Sequence, residues 1–156
     1  MNKHTLPLRA GVGIVLLNNE NKVFVGKRLD NPKSFWQMPQ GGVDKDEDFY
    51  TAALRELKEE TSIVSVKPIK EIEENLTYIL PDHLIGIIWK GKYKGQKQKW
   101  FIMRFIGDDS EINIKTKRPE FLDWKWIELE NLTKVAVNFK LEVYKKLKSE
   151  IIKILD

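Results

Sequence analysis

The strongest constraint on the fold of this chain is a glycine-containing loop that leads into an amphipathic helix over residues 47–61. Apolar side chains recur in this segment at i, i+3, i+4 and i+7, the spacing that gathers them into one stripe on a helix. The stripe consists of Tyr50, Ala53, Leu54 and Leu57. Asp44, followed three residues later by Glu47, predicts a capping-box start. We therefore expect a helix that packs on the core through this stripe.

The same helix brings three carboxylates together. Glu56, Glu59 and Glu60 stand at i, i+3 and i+4, which places them within about a 100° arc of the helix surface. Like charges this close are unfavourable in a bare helix, and a hard divalent cation bound by the oxygens relieves the repulsion. Taken alone, the spacing also fits a solvated acidic face balanced by Arg55 and Lys58.

Extended segments surround this helix. Stretches rich in β-branched and apolar residues predict a hairpin formed by residues 9–17 and 22–28, joined by a turn over 18–21. Proline and glycine between residues 32 and 42 predict a loop there, with a short extended piece around Trp36. Further strands are predicted at residues 64–71, 76–80, 100–106 and 123–129.

Helical spacing returns near the end of the sequence. Over residues 139–154 one face is apolar and comprises Val143, Leu147, Ile151 and Ile154. A length of 156 residues suits one domain, which we place over residues 1–156. Strands interleaved with two helices predict an α/β fold with a mixed β-sheet covered on both faces, an α/β/α sandwich.

Composition limits the kind of site that this domain can hold. The chain has no cysteine, so disulfides and thiolate metal sites are excluded, and a metal would need oxygen ligands or His4 and His83. We expect carboxylate ligands and two ordinary surface histidines. No apolar run approaches the ~20 residues that span a bilayer, and residues 1–10 contain no apolar signal segment. We expect no membrane association and a cytoplasmic location.

The formal net charge of +4 says little by itself, but the basic residues concentrate in the second half of the chain. They fit either a rim that attracts phosphate or a solvated lysine-rich surface, and the sequence does not separate these two hypotheses. The residues concerned are Lys92, Lys94, Lys97, Lys99, Lys115, Lys117 and Arg118.

A longer motif decides between the two interpretations of the three carboxylates. The pattern G-x5-E-x7-R-E-U-x-E-E-x-G-U, with U apolar, is matched on the predicted loop and helix by Gly41, Glu47, Arg55, Glu56, Leu57, Glu59, Glu60 and Ile63. Ser62 stands in place of the second glycine. In this feature the chain resembles the Nudix hydrolases. Since that glycine usually has a left-handed conformation, Ser62 is expected to cost stability, on the order of 1 kcal/mol, rather than activity.

The similarity extends beyond this motif over nearly the whole chain. It resembles the bacterial Nudix branch that contains RNA pyrophosphohydrolases and dinucleoside polyphosphate hydrolases. The matching segments are residues 9–15, 36–42 (WQMPQGG), 95–101 (GQKQKWF), 119–121 (PEF) with Trp124 and Trp126, and 137–140 (VNFK).

This resemblance implies roles for particular residues. The expected metal is Mg²⁺, or Mn²⁺ or another divalent cation, which neutralises phosphate charge and activates the attacking water. The implied metal-site residues are Glu56, Glu59, Glu60 and Glu120, with Gly41 allowing a close backbone approach. Glu47 is expected to pair with Arg55 and orient the helix face. The implied catalytic set is Glu47, Arg55, Glu59 and Glu120.

Substrate contacts follow from the same resemblance. Arg28, Ser34 and Lys140 are expected near phosphates, and Phe139 is expected to stack on a base, although it also fits a first core residue of the last helix. Glu120 likewise also fits a surface acid. Arg9 and Lys99 fit phosphate contacts or ordinary edge-strand charges. The remaining implied contacts are Gln40 and Val137.

The function implied is Mg²⁺-dependent cleavage of phosphoanhydride bonds. The substrates would be 5′-triphosphorylated RNA ends, which lose pyrophosphate, or dinucleoside polyphosphates such as Ap4A. A catalytically silent RNA- or nucleotide-binding module is one alternative, and an ADP-ribose or nucleotide-sugar pyrophosphatase is another. We expect no sequence-specific contact with DNA. The sequence identifies no protein partner.

Overall fold

The computed structural model describes residues 3–30 and 35–155. The strands in these ranges are β1 (Leu8–Leu17), β2 (Val23–Arg28), β3 (Gln40–Gly42), β4 (Val66–Glu71), β5 (Leu76–Ile79), β6 (Gly95–Phe105) and β7 (Phe121–Ile127). The α-helices are α1 (Phe49–Thr61), α2 (Leu132–Val135) and α3 (Leu141–Leu155). Short 3-10 segments occur at Lys3–Thr5, Ile88–Gly91, Asp109–Glu111, Leu129–Asn131 and Asn138–Lys140.

The strands form one mixed sheet in the order β4-β6-β1-β2-β7, with β3 added to β1 and β5 to β6. The central strands β1 and β6 are parallel, with Leu8 opposite Gly95 and Leu17 opposite Arg104. The other strand pairs are antiparallel. Since β1 pairs with both β6 and β3, the short β3 strand brings Gly41 and Gly42 against the middle of the sheet.

Helices cover both faces of this sheet, as the period-2 alternation of β1 requires. Val15 and Leu17 belong to a core cluster with Leu147 and Ile151 of α3. The residues that alternate with them in β1, Ile14 and Leu16, belong to a second cluster beneath α1. Each fully buried side chain of this kind contributes roughly 1.5–3 kcal/mol relative to its exposed state. The predicted α/β/α sandwich with a mixed sheet is confirmed.

Some element boundaries differ from those expected. Helix α1 begins at Phe49, two residues after the predicted start, because Asp48 caps it by accepting a hydrogen bond from the Thr51 N–H at 3.1 Å. Asp44 and Glu47 instead close the turn before it, where the Asp44 N–H donates to Glu47 Oε1 at 3.0 Å. The predicted capping box at the helix start was therefore wrong.

The strands also depart from the expectation, by two residues at β4 and β7 and by more in two other places. Strand β6 begins at Gly95 rather than at residue 100, so the polar GQKQK segment is inside the sheet. Residues 40–42, predicted as loop, form β3, and the bridge between Gln37 and Gly26 is the expected extended piece near Trp36. In the described ranges, no helix is both long and apolar enough to span a membrane.

Helix α1 ends as the motif comparison predicted. Ser62 has φ 68° and ψ 3°, the left-handed conformation, and its N–H donates to the Lys58 carbonyl. Its hydroxyl donates to the Asn113 carbonyl at 2.8 Å. The hydrogen bond from this hydroxyl therefore offsets part of the destabilisation that the β-carbon causes in the left-handed conformation.

Candidate active site

A cleft of about 1450 Å³ lies at one end of the sheet, where α1, β3, the loop between β5 and β6, and the segment before α3 supply its lining. Two groups of side chains line it. We call Glu56, Glu59 and Glu60 the acidic cluster. The cationic–aromatic cluster comprises Arg9, Arg28, Trp89, Phe139 and Lys140.

Arg55 organises the acidic cluster from within α1. Its Nε and Nη2 donate to the two carboxylate oxygens of Glu47 at 2.8 and 2.9 Å, so the expected pairing is present. Its Nη1 donates to Glu56 at 2.9 Å and to Glu59 at 3.2 Å. The hydrogen bond from Arg55 keeps the pKa of Glu47 below its usual range. One guanidinium therefore holds three carboxylates, two of which line the cleft.

Glu60 is the buried member of the acidic cluster, and its charge is only partly compensated, by a backbone hydrogen bond from Gln40 and by the charge of Arg28. Its side chain is 5% exposed, and in the described part of the chain its Oε2 has no hydrogen-bond partner. Burial, reinforced by the charges of Glu56 and Glu120, raises the pKa of Glu60 well above its usual value. Burial also raises the pKa of Glu56. A buried, unpaired carboxylate is costly unless a cation or proton neutralises it.

This donor set fits a hard divalent cation, since all the available ligand atoms are carboxylate oxygens. The carboxylates do not yet converge on one point, however. Within residues 3–30 and 35–155, no group of three acidic or histidine side chains has the geometry of a finished metal site. Arg55 holds Glu56 and Glu59. A cation would therefore compete with Arg55 for these two carboxylates.

The two glycines of β3 make room for charged side chains. A β-carbon on Gly41 would collide with the Glu56 carboxyl group, and one on Gly42 would collide with the Arg9 guanidinium. Gly41 thus lies in a strand rather than in the expected loop, and its missing side chain lets Glu56 lie flat against the backbone. The contact couples the acidic cluster to the sheet.

Arg28 of β2 reaches the cleft from the opposite direction. Its Nε and Nη2 donate to the two carboxylate oxygens of Asp30 at 2.7 and 2.6 Å. This hydrogen-bonded pair raises the pKa of Arg28 and lowers that of Asp30. In the cleft, a phosphate that approaches Arg28 therefore meets a guanidinium that already has one carboxylate partner. Asp30 was not among the predicted site residues, because an acid near an arginine is common on protein surfaces.

Lys140 precedes α3 and is buried at 5% exposure. Its Nζ donates to Gln37 Oε1 at 3.2 Å and lies 5.2 Å from the ring centroid of Tyr78. Burial, with the nearby charge of Arg28, lowers the pKa of Lys140 to about 7. An anion in the cleft would restore the charged form that burial disfavours.

Phe139 is half-buried and lines the cleft, with its ring centroid 5.7 Å from that of Tyr78. It also packs against the core cluster under α3. Phe139 can therefore be both a core residue and a stacking residue, because its ring packs against the core and also lines the cleft. Tyr78 was expected only as a strand residue.

Buried glutamines explain the GQKQKWF segment. Gln96 and Gln98 of β6 are fully buried. Gln98 Nε2 donates to Gln40 at 3.0 Å and to Gln96 at 2.8 Å, and Trp100 Nε1 donates to Gln98 at 3.0 Å. The Tyr78 hydroxyl donates to Gln96 at 3.2 Å. This chain of hydrogen bonds joins the core to the cleft floor, so Gln40 is fixed from below.

The other predicted site residues divide into three groups. Glu120 and Val137 line the cleft, and Glu120 is exposed there. Lys99 does not line it, because its Nζ donates to the Glu73 carbonyl at 2.8 Å and lies 3.8 Å from Glu71. Lys99 is therefore an ordinary charged residue of the sheet rather than a cleft residue, although its strand, β6, is central and not at the edge. Ser34 lies outside the described residues.

Only some of the basic residues that could form a phosphate-attracting rim lie at the cleft. The four lysines between residues 92 and 99 are absent from the described cleft lining, to which Lys58, Lys117 and Arg118 contribute. His83, expected as an ordinary surface residue, is exposed and also lines the cleft. Of the two basic stretches in the second half of the chain, only the one before Pro119 reaches the site.

Comparison with known proteins identifies a family that matches most of this chain. The NUDIX domain family matches residues 7–147. A protein of Pelagibacter ubique named RNA pyrophosphohydrolase is 66% identical over 155 residues, covering 99% of this chain and 98% of that protein. One of the same name from Sphingopyxis alaskensis is 50% identical over 147 residues and covers 93% of both chains.

Solved structures show the same fold at low identity. A Caenorhabditis elegans Ap4A hydrolase in a binary complex has a TM-score of 0.67 at 23% identity, over 94% of this chain and 99% of that one. The Escherichia coli dihydroneopterin triphosphate pyrophosphohydrolase has a TM-score of 0.69 at 19% identity, over 92% and 99%. The matched domain, the close relatives and the shared fold together establish that this chain belongs to the Nudix family.

Proposed function

We propose that this chain removes pyrophosphate from 5′-triphosphorylated RNA ends and that it also accepts dinucleoside polyphosphates such as Ap4A. The enzyme is a Nudix pyrophosphohydrolase, and the proposal concerns its substrate. RNA is supported by the names of the two relatives, which cover nearly all of this chain at 66% and 50% identity. The intact carboxylate set argues against a catalytically silent binding module.

One observation supports phosphoanhydride chemistry above all others: a buried carboxylate with one unpartnered oxygen and a buried lysine line the same cleft. Glu60 Oε2 lacks a partner within the described residues, and Lys140 is held by Gln37 with its charged form disfavoured. A substrate that brings a divalent cation to the first and phosphate oxygens to the second would satisfy both groups. Metal-bound polyphosphates have this combination of charges.

We assign the cation, Mg²⁺ or another hard divalent ion, to Glu56, Glu59, Glu60 and Glu120. When bound, it would supply charge neutralisation and an activated water. The chain itself would orient these ligands, since Arg55 holds Glu56 and Glu59 in place and is anchored by Glu47. Gly41 would let the Glu56 carboxyl stay against β3.

We assign the phosphates to Arg28 and Lys140. Arg28 uses Nε and Nη2 on Asp30, and its Nη1 has no hydrogen bond to another described side chain, so it can donate to a phosphate oxygen. Lys140 offers a point charge that an adjacent anion would stabilise. Phe139, supported from behind by Tyr78, would stack on a base.

The cleft volume bears on the second substrate. At about 1450 Å³ it exceeds the roughly 300–1,000 Å³ typical of sites for one small ligand. Room of this size suits either several nucleotides of RNA or the two nucleosides of Ap4A. ADP-ribose is the rival substrate, and the GQKQKWF and PEF segments of this chain argue against it. The cytoplasmic location expected from the sequence suits an RNA substrate.

A side-by-side assay tests the proposal. Triphosphorylated RNA, Ap4A and ADP-ribose are supplied to the purified protein in Mg²⁺, with a chelator added to a parallel set. We expect pyrophosphate release from RNA and cleavage of Ap4A, both abolished by the chelator, and little turnover of ADP-ribose. Preferred turnover of ADP-ribose would overturn the substrate assignment, and tight binding of RNA without any product would favour the silent module.

A further inference from the structure

The loop between β5 and β6 contains a backbone feature that the proposed function does not use. Trp89 (φ 55°, ψ 38°) and Lys90 (φ 58°, ψ 26°) are both left-handed, and Gly91 follows with φ 73°. Residues with a β-carbon rarely adopt this conformation, and successive ones do so less often still. Such strain persists only where the surrounding contacts require it, which makes the side chain it directs a candidate for function.

The side chain that this turn directs is the indole of Trp89. Trp89 is half-buried and lines the cleft together with Leu84 and Ile88. The guanidinium carbon of Arg9 lies 5.3 Å from the indole ring centroid, and the Tyr93 ring meets the indole edge-on at 6.2 Å between centroids. The indole is thus held from two sides, and one of its contacts is a cation of the cleft.

Arg9 is constrained by β3 as well. Its guanidinium fills the space that a β-carbon on Gly42 would need. A guanidinium packed on an aromatic ring keeps its plane fixed, and its second face stays available for another flat group. The turn at Trp89 therefore restricts the orientation of the planar Arg9 guanidinium in the cleft.

We propose that Trp89 is a positioning residue for substrate recognition: it holds the Arg9 guanidinium flat, and a nucleobase of the substrate stacks on that guanidinium. The inference rests on the proposed function, since it concerns a substrate with bases. The proposal also gives the β5–β6 loop a specific role. Truncating the Trp89 side chain would leave the Arg9 guanidinium unrestrained without removing any charge from the cleft.

An experiment with abasic substrates separates this role from general destabilisation. Binding is measured in Mg²⁺ by fluorescence anisotropy, in a Glu59→Gln background that does not hydrolyse the ligand. The probes are 3′-labelled triphosphorylated tetranucleotides, one with all four bases and four with a single abasic site. We expect one abasic site to weaken binding by about tenfold, a typical loss for one stacked base.

The second arm adds Trp89→Ala to this background. With Arg9 released, binding of the complete probe should weaken by about tenfold, and the sensitive abasic site should then cost less than about twofold. Trp89→Phe, which keeps a ring under Arg9, should restore most of the binding. Phe49→Ala is the matched control, since Phe49 is an aromatic residue 43% exposed and outside the described cleft lining.

The outcomes are distinguishable from those of the proposed function. If every abasic site costs the same with and without Trp89, the positioning role is overturned even if the wild-type protein releases pyrophosphate from RNA. If Trp89→Ala lowers the thermal midpoint but leaves probe affinity unchanged, the indole is only structural. If the wild-type protein fails to cleave the complete probe while the Glu59→Gln proteins show the coupling, the proposed activity is overturned and the role of Trp89 is supported.

Discussion

The acidic and the cationic–aromatic clusters line the same cleft, but the chain assembles them in different ways. The acidic cluster lies on one turn and a half of α1, and Arg55 of the same helix organises it. The cationic–aromatic cluster draws on β1, β2, the β5–β6 loop and the segment before α3. Each of its members depends on a neighbour: Arg28 on Asp30, Lys140 on Gln37, and Arg9 on Trp89.

This difference predicts which substitutions should change activity alone and which should change activity and stability together. Residues of the acidic cluster present charge and bury little apolar surface, so their loss should remove activity and leave the fold intact. Members of the other cluster are packed into the core or against it, as Phe139 and Lys140 are. Changes there should alter binding and folding together, sometimes with opposite signs.

The largest effect is expected in the acidic cluster. Glu59→Gln and Glu60→Gln should each reduce kcat by at least ~10²-fold, because a lost ligand weakens the charge stabilisation of the transition state. Steady-state kinetics at saturating Mg²⁺, with a thermal midpoint for each variant, measures this. Glu142→Gln, at an exposed glutamate of α3, is the control. Near-normal turnover in both variants would remove the metal assignment.

Phe139 comes next and tests the second cluster. Phe139→Ala should raise KM for triphosphorylated RNA by roughly 5- to 100-fold, the range for losing one stacked base, with a small change in thermal midpoint. Ile152→Ala, at a 43% exposed residue of α3, controls for removal of an apolar side chain. Should the midpoint fall sharply while KM stays constant, Phe139 would belong to the core alone.

Lys140 should show opposite effects on activity and stability. Lys140→Met removes the proposed phosphate contact, so kcat/KM should fall by about tenfold, the cost of one charge-assisted contact. It also removes a buried cation, so the free energy of unfolding at pH 7 should rise by about 1–3 kcal/mol. Denaturant melts alongside kinetics measure both. A variant that loses stability at pH 7 would contradict the burial argument.

The pH dependence of stability checks the same residue. The pKa of Lys140 is lowered from 10.5 to about 7 in the folded protein. Between these values the unfolded chain holds a proton that the folded one lacks, so the free energy of unfolding should increase with pH across that window. Below pH 7 the full cost of charging Lys140 remains. The Lys140→Met variant should lack this contribution to the slope.

Salt dependence compares the two basic stretches. Binding of triphosphorylated RNA to the Glu59→Gln protein should fall more steeply with NaCl than binding of Ap4A, since each neutralised phosphate on a single strand contributes about −0.7 to the log–log slope. The cleft lining indicates which cations matter. Lys117→Gln and Arg118→Gln should each flatten the slope for RNA, whereas Lys92→Gln should not. An unchanged slope in all three would leave these cations as solvated surface.

The smallest effect is expected at the end of α1. Ser62→Gly relieves the left-handed backbone by up to ~1 kcal/mol but loses the hydroxyl bond to the Asn113 carbonyl, worth about 0.5–1.5 kcal/mol. The two should nearly cancel in a denaturant melt. Ser62→Ala loses the bond without the relief and should be less stable than either. Equal stability of the alanine and serine proteins would show that this hydroxyl contributes nothing.

The acidic cluster could be predicted because its geometry follows from residue spacing along one helix. The same local rule placed the apolar stripes of α1 and α3 on the two core clusters. The helix start was misplaced because Asp44 and Asp48 are equally good caps, and only the surrounding turn selects Asp48. The start of β6 was missed because its glutamines are polar, and their burial depends on hydrogen bonds to β3 and β5.

The cationic–aromatic cluster could be predicted only in part, and then from resemblance. Arg9, Arg28, Phe139 and Lys140 matched a related pattern, but Lys99 matched equally well and instead donates to the Glu73 carbonyl, outside the described cleft lining. The left-handed turn at Trp89 has no local signature, since tryptophan is not a residue that such turns favour. Contacts between distant segments determine where these side chains lie, and residue spacing along the chain does not predict such contacts.

The parallel pairing of β1 with β6 affects how the enzyme folds during synthesis. Leu8 lies beside Gly95, so the centre of the sheet joins segments separated by more than half of the chain, and closing so long a loop is entropically slow to begin. During synthesis, α1 can form its helix early. Arg9 and the glutamines of β6 meet only after β6 has been made. A growing chain would therefore carry its acidic helix well before it had a cleft able to hold substrate.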